Sequence, residues 1–217
     1  IGAEMKELAE LRELDRLYQD GKYAEIEPFL TKQIACAKED KHYDSYIVFS
    51  NELISFYRST SNHEKALLIS EDVLLLMEEL GMEDTVHFGT TLLNVATAYR
   101  AAGQNKESIT YYQRALVLYE KTLNHDDYRF AGLYNNLSIS LQQMGETQKA
   151  LLFLENAIEI ISKIMPESVE LATSLTNKAL LLFQISKQEE ACQSLEKALV
   201  IFDQEQNHED PHYSAAL

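Results

Sequence analysis

The sequence predicts an all-α chain, built as tandem helix-turn-helix pairs stacked into an α-solenoid, and three periodic observations predict it. The first is a set of small residues. Ala66, Ser108, Ala150 and Ala191 are separated by 42, 42 and 41 positions, and seven residues further on the same spacing gives Val73, Ala115, Ala157 and Ala198. Upstream of each lies a matching position in a preceding helix, held by Ile54, Ala96, Ser138 and Ala179, with Tyr57, Tyr99, Leu141 and Leu182 three residues later. Small residues at matching heights let two antiparallel helices approach closely while larger side chains fill the space beside them. The second observation is the turns: Gly103 and Gly145 stand where a left-handed residue ends the first helix of a pair, and Ser61 and Ser186 hold that place in the flanking copies. The third is a column of helix caps, Thr85, Asp127, Ser168 and Asp210, whose side-chain oxygens suit free amides at a helix start.

The elements follow in order. Residues 4–20 are periodic in Leu8, Leu11, Leu14 and Leu17 and turn at Asp20-Gly21; a second helix is expected from about Tyr23 to Lys38, with Pro28 tolerated within its first turn. This pair, the least like the others, reads as an end cap. Pairs are then expected at about 44–80, 85–123, 127–164 and 168–206, after the first at 4–38. The clearest is the stretch 131–165, a helix, a tight turn at Met144-Gly145 and a second helix. Asn207-His208-Glu209-Asp210 lies over Asn124-His125-Asp126-Asp127, so a further helix is expected to start across 210–217. A single array over 1–217 is therefore expected. Its abrupt ending is expected of a fragment, or of a stub covered by another molecule, and the array ends are the expected place for any self-association. Each pair leaves an apolar side that only a neighbouring pair can bury.

These columns, with Tyr99 and Gly103 or Leu141 and Gly145 in the first-helix pattern, resemble the tetratricopeptide repeat (TPR) family, and the resemblance covers almost the whole chain. The period exceeds the family's usual length of about 34 residues by about two helical turns. That longer form, with Leu93-Asn94-Val95-Ala96 and Tyr134-Asn135-Asn136-Leu137-Ser138, is most similar to the repeats of kinesin light chain and their bacterial relatives. The chain departs from the pattern in having no Trp and in carrying Lys178 where an aliphatic residue is expected. The resemblance implies a right-handed superhelix whose first helices line a concave groove that binds peptides.

Composition narrows the function classes. With 46% hydrophobic and 25% charged residues the chain is ordinary for a folded domain, and 7 Gly and 3 Pro leave no room for a long flexible linker. No stretch approaches the roughly 18 consecutive apolar residues of a membrane span, and Ile1 to Glu10 carry acidic residues and no apolar signal core. The initial Ile suggests a processed chain or an excised piece. A net charge of −16 argues against nucleic acid, which needs a basic surface. The acid concentrates on second helices, as in Glu71, Asp72, Glu155, Glu159, Glu189 and Glu190, whereas the later parts of the first helices carry Glu52, Arg58, Arg100 and Lys178 and otherwise almost nothing charged. Cys36 and Cys192 read as buried small hydrophobes in a reducing, cytoplasmic compartment.

His208-Glu209-Asp210-Pro211-His212 satisfies the H-E-x-x-H pattern of zinc hydrolases. That geometry needs one helix through both histidines. Here Asp210 falls in the cap column and Pro211 at the first helical position, which sets His208 before the helix, so the match is treated as accidental and no metal or cofactor is expected. Asn94, Asn136 and Asn177 form a column separated by 42 and 41 positions. An amide offers both a donor and an acceptor and so matches a peptide unit whatever its side chain. The resemblance implies that asparagines here face the groove and clamp an extended peptide. The alternative is that they bond neighbouring helices or water. Asn135 and Thr97 are counted with them on the same face. Arg58 and Arg100 also align, and either reach acidic groups of a ligand or are solvated and locally paired. Tyr111, Tyr112 and Tyr119 are expected to be packing residues.

The expected function is a non-catalytic protein–protein interaction scaffold that receives a peptide segment or partner helix in its groove, with no nucleic acid or membrane partner. The alternative is a peptide-sensing regulatory domain of a larger bacterial signalling or transcription regulator. An enzyme rests only on the H-E-x-x-H match.

Overall fold

The computed structural model describes residues 2–209, with side chains through Glu205, and every regular element among them is helical. Contacts divide the chain after Gly103. The first unit holds α1 (Gly2–Gln19), a 3-10 turn (Tyr23–Glu25), α2 (Ile26–Glu39), α3 (Tyr43–Ser59), α4 (His63–Glu79) and α5 (Val86–Ala101). Within it α3 packs against α2, α4 and α5. The second unit holds α6 (Asn105–Thr122), α7 (Arg129–Gln143), α8 (Thr147–Ile164), α9 (Val169–Gln184) and α10 (Gln188–Glu209), each packed on the next.

The small-residue columns lie at the helix contacts. Ala66, Ser108, Ala150 and Ala191 are all completely buried, as are Val73, Ala115, Ala157 and Ala198. In the second unit the two columns touch, because Ser138 Oγ on α7 donates to the Ala150 carbonyl on α8 at 2.9 Å. Ser108 Oγ donates to Ser140 Oγ at 2.9 Å in the same way, from α6 to α7. Larger side chains fill the flanks: Phe49, Leu53, Ile54 and Met77 in the first unit, and Tyr112, Tyr119, Phe130, Leu133 and Leu137 in the second. Tyr112 and Tyr119 are thus packing residues, and Tyr111 is half-buried.

The turns use a left-handed residue whether or not glycine is present. Gly103 and Gly145 have φ of 80° and 78°, and Ser61 and Ser186 adopt 60° and 63°. At Gly145 the amide donates to the Gln142 carbonyl at 3.0 Å and the next amide, Glu146, to Leu141 at 2.9 Å, the paired pattern that satisfies the last carbonyls of a helix. Ser186 and Lys187 repeat it on Phe183 and Leu182 at 3.1 and 2.9 Å. Lys41 and Gly81 take the same left-handed conformation between pairs.

Of the cap column, Thr85 Oγ1 accepts from Phe88 N and Ser168 Oγ from Leu171 N, both at 3.2 Å. Asp127 accepts from Arg129 N at 2.9 Å and also binds that guanidinium. Those hydrogen bonds hold its carboxyl below the usual range. Asp210 lies outside the described residues.

Three sequence expectations are corrected. The second helix of the first pair does not run unbroken from Tyr23: a 3-10 turn precedes α2, which starts at Ile26 and places Pro28 in its first turn, where no amide is needed. The last helix runs on past the expected end at 206 to Glu209, so His208 lies in its last turn, and the helix expected across 210–217 falls outside the described residues. Cys192 is exposed and Cys36 only half-buried, both as free thiols. At the same position in the earlier copies Leu151 is buried, whereas Leu67 and Ile109 are half-buried.

Candidate functional site

The first helices of each unit carry the polar residues of interest. In the first unit, Asn51 on α3 faces α5. Its amide nitrogen donates to the Ile47 carbonyl at 3.0 Å and to Thr91 Oγ1 on α5 at 3.1 Å. Its oxygen accepts from the Asn94 amide nitrogen at 2.9 Å. Asn51 has thereby spent both donors. Asn94 has spent one, and its carbonyl oxygen and second N–H make no hydrogen bond among the described residues. Both side chains are half-buried, above a core in which Leu53, Val95 and Ala96 are fully buried. Thr97 turns its hydroxyl back to the Leu93 carbonyl at 2.9 Å, a bond within its own helix. Arg58 and Arg100 are half-buried in the last turns of α3 and α5, where a cation complements the helix dipole. Each interacts with other groups of the protein.

In the second unit the pattern is looser. Asn135 on α7 accepts from Ser174 Oγ on α9 at 3.2 Å, much as Asn51 reaches Thr91. Asn136 donates to the Gly132 carbonyl of its own helix at 2.8 Å. Asn177 is half-buried and makes no side-chain hydrogen bond among the described residues. Asn94 thus does, with one donor, what the alternative reading foresees, by bonding the neighbouring helix.

Sequence reasoning missed Asn51. It stands 43 positions before Asn94, one more than the 42 that separate Asn94 from Asn136, so the signal was present and one residue out of register. It also missed Thr91 and Ser174, hydroxyl residues that are 1% and 2% exposed and receive or offer the inter-helix bond. Nothing in their residue type separates them from ordinary helix-interior threonine and serine.

Beside α3, the electrostatics are acidic. Burial, and then the negative Asp15 on α1, push the half-buried Glu52 above the ordinary carboxylate range. Burial and then Glu52 push the Tyr18 hydroxyl up as well. Tyr57 is pushed up to about 12, first by burial and then by the charge and hydrogen bond of Glu27. Glu27 in turn meets Lys65 at 3.4 Å, and that ammonium stands 5.8 Å from the centre of the Tyr57 ring. In the second unit, Phe130, Tyr134 and Phe153 form a continuous stack at 5.8 and 5.9 Å. Tyr134 there borders a cleft of about 320 Å³ with His125, Asp126, Asn156, Glu159 and Lys163.

No group of three or more His, Cys, Asp or Glu side chains able to hold a metal occurs among the described residues. The remainder of the H-E-x-x-H match, from Asp210 to His212, lies outside them. No helix of the described residues is long and apolar enough to cross a membrane.

Comparison with known proteins bears on this arrangement. A tetratricopeptide repeat model matches three overlapping stretches, 44–121, 87–163 and 128–204. No curated protein matches the sequence. Among solved structures, BtubC (BKLC) from P. vanneervenii superposes with a TM-score of 0.81 at 20% identity, over 92% of this chain and 80% of that one. A Podosopora anserina chain described as a kinesin light chain of nearly identical TPR-like repeats gives 0.75 at 20% identity, over 93% and 96%. MamA from Desulfovibrio magneticus RS-1 gives 0.66 at 12% identity, over 94% and 98%. At these identities the likeness establishes the fold, including the long kinesin-light-chain-like form of the repeat. Repeats of this kind generally mediate protein–protein interaction and are generally non-catalytic. Because the repeat model spans 44–204, well over half of the sequence, the chain belongs to the tetratricopeptide repeat family.

Proposed function

We propose that this chain is a non-catalytic binding module of cytoplasmic proteins, and that the first-helix face of its units holds an extended peptide segment of a protein partner. The observation that carries the reading is the Asn51–Asn94 pair. Asn51 fixes the Asn94 amide in place, and Asn94 keeps one acceptor and one donor, the complement of a single peptide unit. Prior fixation lowers the entropy lost when such a group engages a ligand. An amide that reads backbone gives affinity without choosing a sequence, so selectivity would come from side chains around it. In the second unit Asn177, Asn136 and Asn135 are the candidates for the same work, and Thr97, Arg58 and Arg100 are the further candidates in the first.

Selection of a random peptide display library against the wild-type chain tests this. The expected result is an enriched peptide family whose affinity falls about tenfold in Asn94→Ala, the scale of one well-made hydrogen bond to a fixed polar group. Equal affinity for wild type and a folded Asn94→Ala chain removes the asparagine mechanism. Failure of any peptide to enrich removes the peptide reading.

A further inference from the structure

The repeats supply an internal comparison, since each position can be judged against its counterparts in the other copies. At one height the first helices carry Leu53, Val95, Leu137 and then Lys178, while the second helices carry Ile69, Tyr111, Phe153 and then Ser194. Leu53, Val95 and Leu137 are at most 1% exposed, so this is a core position in three of the four copies compared. The α9–α10 hairpin alone replaces both apolar partners at once, one by an ammonium and the other by the smallest hydroxyl.

The double replacement opens a cleft of about 220 Å³, bordered by Leu175 and Lys178 of α9 and by Glu190, Gln193, Ser194 and Lys197 of α10. Ser194 is 5% exposed, and its hydroxyl donates to the Leu175 carbonyl at 3.1 Å. Its contribution is therefore room, the space that Phe153 fills one repeat earlier. Lys178, Lys197 and the Gln193 amide remain as donors around that room. Lys178 meets Glu155 of α8 at 3.8 Å, with side chains 28% and 47% exposed, which is long for an ion pair and open to exchange. Two ammonium groups with an amide at one cleft stand out in a chain of net charge −16.

We propose that this cleft is an oxyanion subsite, in which Lys178, Lys197 and Gln193 hold a phosphate or carboxylate group. None of the asparagine residues lines it, although Asn177 directly precedes Lys178 on α9. Glu155 acts as an internal competitor for Lys178, and Glu190 is the second acid that a bound anion must tolerate.

The test is a titration of the full chain with inorganic phosphate and, separately, with acetate, followed by two-dimensional amide NMR at constant ionic strength in chloride. The expected result is saturable shifts confined to 175–197, in the millimolar range, for at least one of the two ions. Tighter phosphate binding identifies a phosphorylated ligand group and tighter acetate binding a carboxylate; either supports the subsite. Lys178→Leu restores the residue type of the other copies, so it keeps the fold and should weaken binding at least tenfold. Glu155→Gln, which frees Lys178, should tighten binding severalfold, an effect that a purely structural Lys178–Glu155 pair does not produce. Non-saturating shifts from both ions, the same in wild type and Lys178→Leu, overturn the proposal.

Discussion

Ser138 Oγ donates to the Ala150 carbonyl at 2.9 Å, joining the small position of a first helix to that of the second helix it packs on. Both residues are buried, at 3% and 0% exposure. The contact shows why small residues recur at this height: a hydroxyl on one backbone reaches the carbonyl of the other only when nothing larger stands between them.

The first prediction separates space from hydrogen bonding at that contact. Ser138→Ala removes one hydrogen bond, worth about 1 kcal/mol, but leaves the residue that Ala96 and Ala179 already supply in register. It also gains a few tenths of a kcal/mol in helix propensity. Ala150→Leu forces three extra carbons into a filled seam, at a cost of about 3 kcal/mol or more. Urea unfolding should therefore place Ser138→Ala within about 1 kcal/mol of wild type, and Ala150→Leu far below it. A reversed order would mean that the hydrogen bond, not the close approach, holds the helices.

The second prediction concerns the turns. Ser61 and Ser186 stand at φ of 60° and 63°, where an L side chain costs about 1–2 kcal/mol relative to glycine. Ser186→Gly and Ser61→Gly should each raise stability, by about 0.5–1 kcal/mol after glycine's greater freedom in the unfolded chain is deducted. Gly145→Ala should cost about 1 kcal/mol, from conformation alone, because a Cβ there meets no atom within 4 Å. Thermal unfolding of the three variants checks the set; stabilisation by Gly145→Ala would contradict it.

The third prediction is a pH dependence. Glu52 is held above the ordinary carboxylate range by burial and then by Asp15, so the folded chain binds this proton more tightly than the unfolded chain. Its contribution to stability is fully present below the ordinary carboxylate value and is lost as pH rises through the raised one. Above that window the charged side chain is a cost, and Glu52→Gln should remove it. The variant is expected to be more stable than wild type at pH 7 by up to about 1 kcal/mol, the scale on which a charge only partly withdrawn from water is felt. That gain should close as the pH falls below about 4. A gain independent of pH would assign the effect to packing instead.

Most of the fold was legible because the repeat writes the same physical requirement several times. One alanine says little, but Ala66, Ser108, Ala150 and Ala191 at nearly constant spacing admit few structures other than paired helices. The left-handed serines were legible only through their register with Gly103 and Gly145, since serine carries no such preference itself. What failed was residue environment at the ends. Cys192 has the residue type of a core position and is exposed, in a column whose burial varies from copy to copy. The candidate site was half legible for a related reason. The asparagine column shows in the spacing, whereas the partners of each amide, Thr91 for Asn51 and Ser174 for Asn135, depend on side-chain geometry between helices.

The last prediction divides the labour within the amide pair. Asn51 makes three hydrogen bonds, to Ile47, Thr91 and Asn94, and all three are internal. Asn51→Ala removes them together, leaving Asn94 and Thr91 without that partner at a half-buried place. It should cost about 1–3 kcal/mol of stability. Asn94→Ala breaks only one of these bonds and leaves Asn51 its other two. It should cost about 1 kcal/mol or less, while weakening a bound peptide about tenfold. Asn51→Ala should weaken the same peptide less directly, by loosening Asn94. Unfolding curves and peptide affinities on both variants read the two effects separately. If Asn94→Ala loses stability as heavily as Asn51→Ala and keeps full peptide affinity, the amide pair is a structural staple and the ligand-holding face lies elsewhere.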